Sequence, residues 1–367
     1  MDDSLLLLVA VVAVALFFDF TNGFHDAANA IATGVSTRAL HPRLAVLLAA
    51  VLNFAGAFVS FAVAATIASG IVNPAVVTLK VILAGLIGAI AWNLTTWFFG
   101  LPSSSSHALI GGTVGAAIMA DGFDAVYGSG LVDKVLIPSL LAPLFGIFGA
   151  ALLMTILLWV IRRRSPRTVN HVFRRMQLVS SSFLAFTHGT NDAQKTMGII
   201  ALALVTSGRL NEDFDRPPVW VIVSAAAAIA AGTYAGGWRI IRTLGQRIAK
   251  LQPPQGFSAE ASTSVILFLT AHFGFPVSTT HTISGSVLGA GATSRLSAVR
   301  WGVAGNILLA WLLTIPCAGL VGAGMQLVTR IPGGAVIVFL LGIAAAYLAF
   351  AARSRASREA LPQPASS

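Results

Sequence analysis

The chain has 367 residues and a formal net charge of +10, yet only 10% of its residues are charged and 56% are hydrophobic. Soluble domains carry roughly 25% charged residues, so this composition excludes a water-facing globular surface and makes lipid the main solvent. The positive charge invites a nucleic-acid partner, but membrane proteins gather Lys and Arg in cytoplasmic loops, and that reading replaces it.

Apolar runs of about 20 residues, the length a bilayer span requires, recur along the chain. They lack the period-2 alternation of a membrane β-barrel. The expected class is all-α: a polytopic helical membrane protein. Met1-Asp2-Asp3 is acidic where a secretory signal has a positive region, so Leu5 to Phe18 opens the first span. The candidate spans are roughly 5–33, 44–69, 75–99, 104–120, 135–161, 176–206, 218–237, 258–275, 278–292, 301–326 and 333–352. Cys317, the single cysteine, lies in an apolar run, where it forms no internal disulfide and reads as a small buried residue.

Suppose the N-terminus lies outside and every segment crosses. Most basic residues then fall inside: Arg38 and Arg43, the cluster from Arg162 to Arg175, the stretch from Arg239 to Lys250, and Arg353, Arg355 and Arg358. The positive-inside rule fits this orientation in a cell (inner or plasma) membrane. The expected organisation is a first half at 1–161, a basic cytoplasmic linker at 162–175, a second half at 176–352 and a disordered cytoplasmic tail at 353–367.

Two patterns recur. Phe20-Thr-Asn-Gly-Phe-His-Asp-Ala-Ala-Asn29 matches Phe186-Thr-His-Gly-Thr-Asn-Asp-Ala-Gln-Lys195. Phe99-Gly-Leu-Pro-Ser-Ser-Ser-Ser-His107 matches Phe273-Gly-Phe-Pro-Val-Ser-Thr-Thr-His281. The expected topology puts five spans between equivalent elements, and an odd number turns the second half upside down. This predicts an inverted-topology repeat, whose substrate site lies where interrupted helices of the two halves meet. The apolar stretches 104–120 and 278–292 are short for full spans and read as broken or re-entrant half-helices.

Ionisable residues within a span are costly and mark function. Asp26 and Asp192 are repeat mates, and with the amide oxygens of Asn29 and Asn191 they suit a hard coupling cation. Asp19 has no mate, Ala185 standing in its place, and Glu260 reads as lying at a span end. Ser104, Ser105 and Ser106, and Ser278, Thr279 and Thr280, follow a proline and precede a helix start. That placement gives either ordinary N-caps or an oxyanion cradle of hydroxyls and free N–H groups. His107 and His281 close the two clusters, either as anion donors or as partners of nearby backbone. His25 and Lys195 are further candidates.

These motifs resemble the PiT family of inorganic phosphate transporters, in particular the bacterial low-affinity phosphate permeases. The residues that carry the resemblance are Gly189-Thr-Asn-Asp-Ala193 and Pro276-Val-Ser-Thr-Thr-His281, with degenerate copies at Gly23-Phe-His-Asp-Ala27 and Pro102-Ser-Ser-Ser-Ser-His107. The resemblance implies secondary active uptake of phosphate with a coupling ion, sodium or proton, by alternating access. It implicates Asp26, Asn29, Asp192 and the Ser/Thr clusters in ion and phosphate binding. It calls for no cofactor, no resident metal and no catalytic residue, since the chain is not an enzyme. The partners are phosphate and the lipid bilayer, with a homo-oligomer left open. One departure is His25, where the family's first motif usually has Asn; it removes an amide oxygen and adds a group that titrates near neutral pH. The other is Lys195, standing where the first half has Asn29.

Three other functions compete for these residues. A permease for sulfate or another tetrahedral oxyanion uses the same donors. A divalent-metal carrier uses the His and Asp residues. An intramembrane hydrolase uses Ser106 or Ser278 with a His, although no Gly-x-Ser-x-Gly elbow is present.

Overall fold

The computed structural model describes residues 3–293 and 296–359. They are almost entirely helical: α1 (Asp3–Ser36), α2 (Pro42–Gly56), α3 (Ala62–Ser69), α4 (Leu79–Phe99), α5 (Ser105–Asp121), α6 (Gly128–Gly130), α7 (Ile137–Ile161), α8 (Pro166–Thr206), α9 (Val219–Ala235), α10 (Trp238–Arg242), α11 (Pro253–His272), α12 (Thr279–Ala292), α13 (Trp301–Thr329) and α14 (Gly334–Glu359). The only strand-like pairings among these residues are two isolated bridges, Val72 with Val126 and Ala249 with Val299. The chain is thus a polytopic helical membrane protein.

Among the described residues, four helical stretches are long and apolar enough to cross a bilayer: Ser4–Ser36, Leu79–Phe99, Gly128–Ile161 and Trp301–Thr329. The pair Val219–Ala235 and Trp238–Arg247, bent by 61°, makes a fifth if counted as one span. Other candidate spans are interrupted. The stretch 44–69 breaks between α2 and α3, and α5 and α12 have only 17 and 14 residues.

Two expectations from the sequence need correction. The basic stretch 162–175 is not a loop: only 162–165 leave helical conformation, and α8 begins at Pro166. Ser165 caps it by accepting from the Thr168 N–H, with Pro166 in the first turn, a standard helix start. At 41 residues, α8 is about 60 Å long, so its arginine-bearing start extends well past a bilayer core of about 30 Å. Likewise, the residues from Arg353 to Glu359 continue α14; the rest of the expected tail, 360–367, lies outside the described residues.

Equivalent elements pack in equivalent ways. α1 lies against α9, and α2 against α8. The hairpin α4–α5 packs on α13, which follows the other hairpin, while α11–α12 packs on α7. The halves therefore exchange helices. Glycine permits the closest approaches: a side chain at Gly111 would strike the Ile315 backbone, and one at its mate Gly285 would strike that of Pro143. α7 and α13 turn Leu140, Phe145, Phe148, Leu312 and Leu320 outward, an apolar belt for lipid tails.

Candidate functional site

Each hairpin is interrupted at its tip. α4 ends at Gly100 (φ +66°), and Gly274 (φ +74°) follows α11 in the same left-handed conformation, the usual helix stop for a residue without Cβ. Pro102 and Pro276 follow, and the chain re-enters helix at α5 and α12. At both starts the first hydroxyl is a cap: Ser104 accepts from the His107 N–H at 3.1 Å and Ser278 from the His281 N–H at 3.2 Å. For these two residues the structure shows the capping role. The next two hydroxyls of each break turn inward.

They meet the middles of α1 and α8. Ser105 donates to Asp26 Oδ2 at 2.7 Å, and Thr280, from the other half, donates to Asp26 Oδ1 at 3.2 Å. Thr279 lies between the repeat mates, its hydroxyl 3.5 Å from Asp26 Oδ2 and 3.4 Å from Asp192 Oδ2. Asn29 donates to Thr280 at 2.9 Å and to Thr279 at 3.1 Å. Asp26, Asp192 and His188 each bring a ligand atom within 4.8 Å of the others. His25 Nδ1 lies 2.6 Å from Asp26 Oδ1, and His188 Nε2 lies 3.2 Å from Asp192 Oδ2. All these side chains are buried.

Lys195 completes the cluster. Its ammonium donates to Asp192 Oδ1 at 2.5 Å, to Ser106 Oγ at 2.5 Å and to the Val277 carbonyl at 3.0 Å. Asp192 is thus paired with one fixed cation, and Asp26 lies nearby, in a buried interior where unbalanced charge is expensive.

Asn191 does not join them. Its amide lies 3.5 Å from the Thr270 hydroxyl of α11, and its Oδ1 has no partner. Successive helical side chains diverge by about 100°, which turns Asn191 away from the face carrying Asp192. His107 and His281 form an adjoining aromatic group, with ring centroids 4.7 Å apart. His107 Nε2 is 2.6 Å from Ser139 Oγ, while the His281 ring stacks at 3.9 Å on Trp311 and its Nε2 has no partner. Neither touches the two carboxylates. The contacts to Ser139 and Trp311 had no signal in the sequence, because they come from α7 and α13 after the exchange of helices.

A model of the phosphate transporter family matches residues 22–168 and 161–322. The chain belongs to the phosphate transporter family. It is 54% identical over 327 residues to a probable low-affinity inorganic phosphate transporter of Mycobacterium tuberculosis (strain ATCC 25618 / H37Rv), covering 88% of this chain and 78% of the relative. A protein of the same description from Mycobacterium leprae is 51% identical over 359 residues, covering 97% and 86%. One from Bacillus subtilis is 46% identical over 327 residues, covering 88% and 97%. The fold also matches a solved structure described as the sodium-dependent phosphate transporter, with TM-score 0.80 and 24% identity over 88% of this chain and 99% of that one. These relatives are transporters, and this member of the phosphate transporter family is not an enzyme.

Two more carboxyls are buried in this phosphate transporter family member, outside the central cluster. Glu260 does not sit at a helix end. It lies inside α11, fully buried, accepting from Thr33, Gln177, Ser181 and Ser180. Asp19 lies beside Asn22 and Thr196, yet both its oxygens, both polar atoms of Asn22 and the Thr196 hydroxyl lack hydrogen-bond partners.

Proposed function

We propose that the protein takes up inorganic phosphate across the cell membrane together with a cation, by alternating access. The observation that carries this reading is the meeting of both helix breaks over one acidic pair: Ser105 from one half and Thr279 and Thr280 from the other reach Asp26, while Thr279 also reaches Asp192. Phosphate held between the breaks would accept from Ser105, Ser106, Thr279 and Thr280 and from free N–H groups at the starts of α5 and α12. Helix N-termini favour anions for that reason.

Such a site explains coupling. Two carboxylates beside a phosphate repel it; two unit charges at 4 Å interact by roughly 4 kcal/mol at an effective dielectric constant near 20. A cation among Asp26, Asn29 and Asp192, added to the Lys195 ammonium already paired with Asp192, cancels that repulsion, so anion and cation bind best together. The Asn29 Oδ1 has no partner and is an oxygen ligand open to such an ion. The donor set fits either a sodium ion or a proton on Asp26, where His25 supplies a second titratable group. The neutral hydroxyls hold the anion without a strong permanent clamp, which favours release.

Alternating access follows from the duplication read as an inverted repeat. The motif-bearing helices and the two broken hairpins face one another, and rocking of one half against the other would open the shared cluster to each side in turn. The basic residues at 38–43, in α8's first turns and after α10 support a topology with the α1 N-terminus outside, by the positive-inside rule.

The test is uptake into vesicles containing the purified protein. Labelled phosphate should accumulate under an imposed sodium or proton gradient, and excess sulfate or divalent metal should not compete. Accumulation of sulfate or metal in preference to phosphate would overturn the assignment.

A further inference from the structure

We propose that Lys195 is a tethered cation, taking in the second half of the protein the place that a mobile coupling ion takes in the first. The inference rests on the cotransport reading and adds a limit to its stoichiometry: fewer mobile cations than the duplicated framework could hold.

The argument starts from the repeat. Asp26 and Asp192 are mates, as are Asn29 and Lys195, and Thr280 and Ser106. The mates make matching contacts. Asn29 Nδ2 donates to Thr280 Oγ1 at 2.9 Å; Lys195 Nζ donates to Ser106 Oγ at 2.5 Å. The end of the lysine side chain therefore occupies the place of the asparagine amide. The consequences differ. Asn29 is neutral and keeps Oδ1 unpaired, so the first half offers an amide oxygen near the Asp26 carboxylate. Lys195 has three N–H donors and no acceptor. All three have partners: Asp192, Ser106 and the Val277 carbonyl. At 1% exposure the ammonium is held within the protein. It neutralises Asp192 and presents a like charge to any second ion.

The charge balance agrees. Asp26 and Asp192 bring two carboxylates to one locus and Lys195 brings one ammonium. One further cation, next to Asp26, balances the acidic pair before the anion arrives. The fixed charge also bonds to both breaks, to Ser106 of one and Val277 of the other, so it stays beside the anion site they form.

The test is to restore the first half's chemistry with Lys195→Asn and to impose the second half's on the first with Asn29→Lys. Charge moved per phosphate is measured from reversal potentials in proteoliposomes, alongside the steepness of the cation dependence. Lys195→Asn should carry about one more cation per phosphate than the parent, with a Hill coefficient higher by about one. Lys195→Arg, which keeps the charge but not the shape, should keep the parental number of cations per phosphate and the parental Hill coefficient even where its rate falls. Asn29→Lys should exchange phosphate with little or no cation dependence. If Lys195→Asn no longer transports, the steepness of cation-dependent phosphate binding to the purified protein is read instead, with the same expected rise. Parental stoichiometry and steepness in Lys195→Asn, or parental cation dependence in Asn29→Lys, would overturn the inference. A parent whose own uptake ignores every cation gradient would overturn the cotransport reading instead.

Discussion

α1 and α8 carry the same motif into the same cluster and make different use of it. On α1, Asp26 is held by hydroxyls of both breaks, with His25 beside it and an unpaired amide oxygen on Asn29. On α8, Asp192 is tied to an ammonium three residues on and faces His188 one turn back. The backbone frame is shared, down to the glycines that let each helix approach its neighbour: a side chain at Gly23 would strike α9, and one at Gly189 would strike Asn53 of α2. Duplication supplies the geometry twice, and single substitutions then divide the chemistry between the copies. One half is left open to a mobile charge and the other is closed around a fixed one.

The strongest way to break this comparison is to neutralise each aspartate in turn. Asp26→Asn and Asp192→Asn should both abolish coupled uptake, since each removes charge from the shared cluster. They should differ in stability. Removing one partner of a buried ion pair leaves the other charge uncompensated, which costs about 3–5 kcal/mol; Asp192→Asn does this to Lys195. Asp26 has no lysine partner, so Asp26→Asn should keep close to the parental stability. Thermal unfolding in one detergent checks both. Equal destabilisation would mean that the two aspartates are held alike, and parental uptake in either variant would make that aspartate merely structural.

A smaller effect is expected where the halves share nothing. Glu260 has Leu86 at its mate position, and four donors from α1 and α8 converge on it. A buried donor left without an acceptor costs about 1–3 kcal/mol, partly recovered when neighbours re-pair. Glu260→Ala should therefore destabilise the protein by on the order of 3 kcal/mol, and Glu260→Gln by less, because an amide oxygen still accepts. Leu86→Ala removes only packing, and both should be compared by thermal unfolding with phosphate absent. A Glu260→Ala protein as stable as the parent would show that this network does not hold α1, α8 and α11 together.

Glu260 also marks where reading the sequence stops. The class, the repeat and the two breaks were legible, because apolar length, paired motifs and Pro-plus-hydroxyl clusters are local signals. The meeting of Asp26 with Asp192 was foreshadowed by their shared register. The partners of Glu260 were not, because Thr33, Gln177, Ser180 and Ser181 lie scattered on two other helices and look like ordinary polar residues in spans. The arginine cluster misled in a different way. Charge argues against a residue lying in lipid but not against its being helical, so α8 begins at Pro166, inside a stretch that hydropathy reads as a linker. Asn191 and Asp192 are adjacent in sequence, and helical rotation separates them.

The mildest perturbation sharpens the comparison at the anion side. Thr280 and Ser106 are mates on facing breaks, and each loses one hydroxyl on changing to alanine. A hydroxyl missing from a charged acceptor costs on the order of 1–3 kcal/mol, so Thr280→Ala should weaken phosphate binding about tenfold or more. Thr280→Ser keeps the hydroxyl and should be mild. Ser106→Ala removes an equivalent group, but it also releases a donor of Lys195 now bonded to Ser106 Oγ at 2.5 Å. A freed ammonium can turn to the phosphate, and charge-assisted hydrogen bonds are roughly twice as strong as neutral ones. Ser106→Ala should therefore weaken binding less than Thr280→Ala does. The difference should vanish when both are made on a Lys195→Asn background, where no ammonium is left to compensate. Phosphate titrations of the purified variants read all of this directly. Equal losses in the two single variants would place the ammonium out of reach of the anion, and no loss in either would leave both hydroxyls as parts of a helix start.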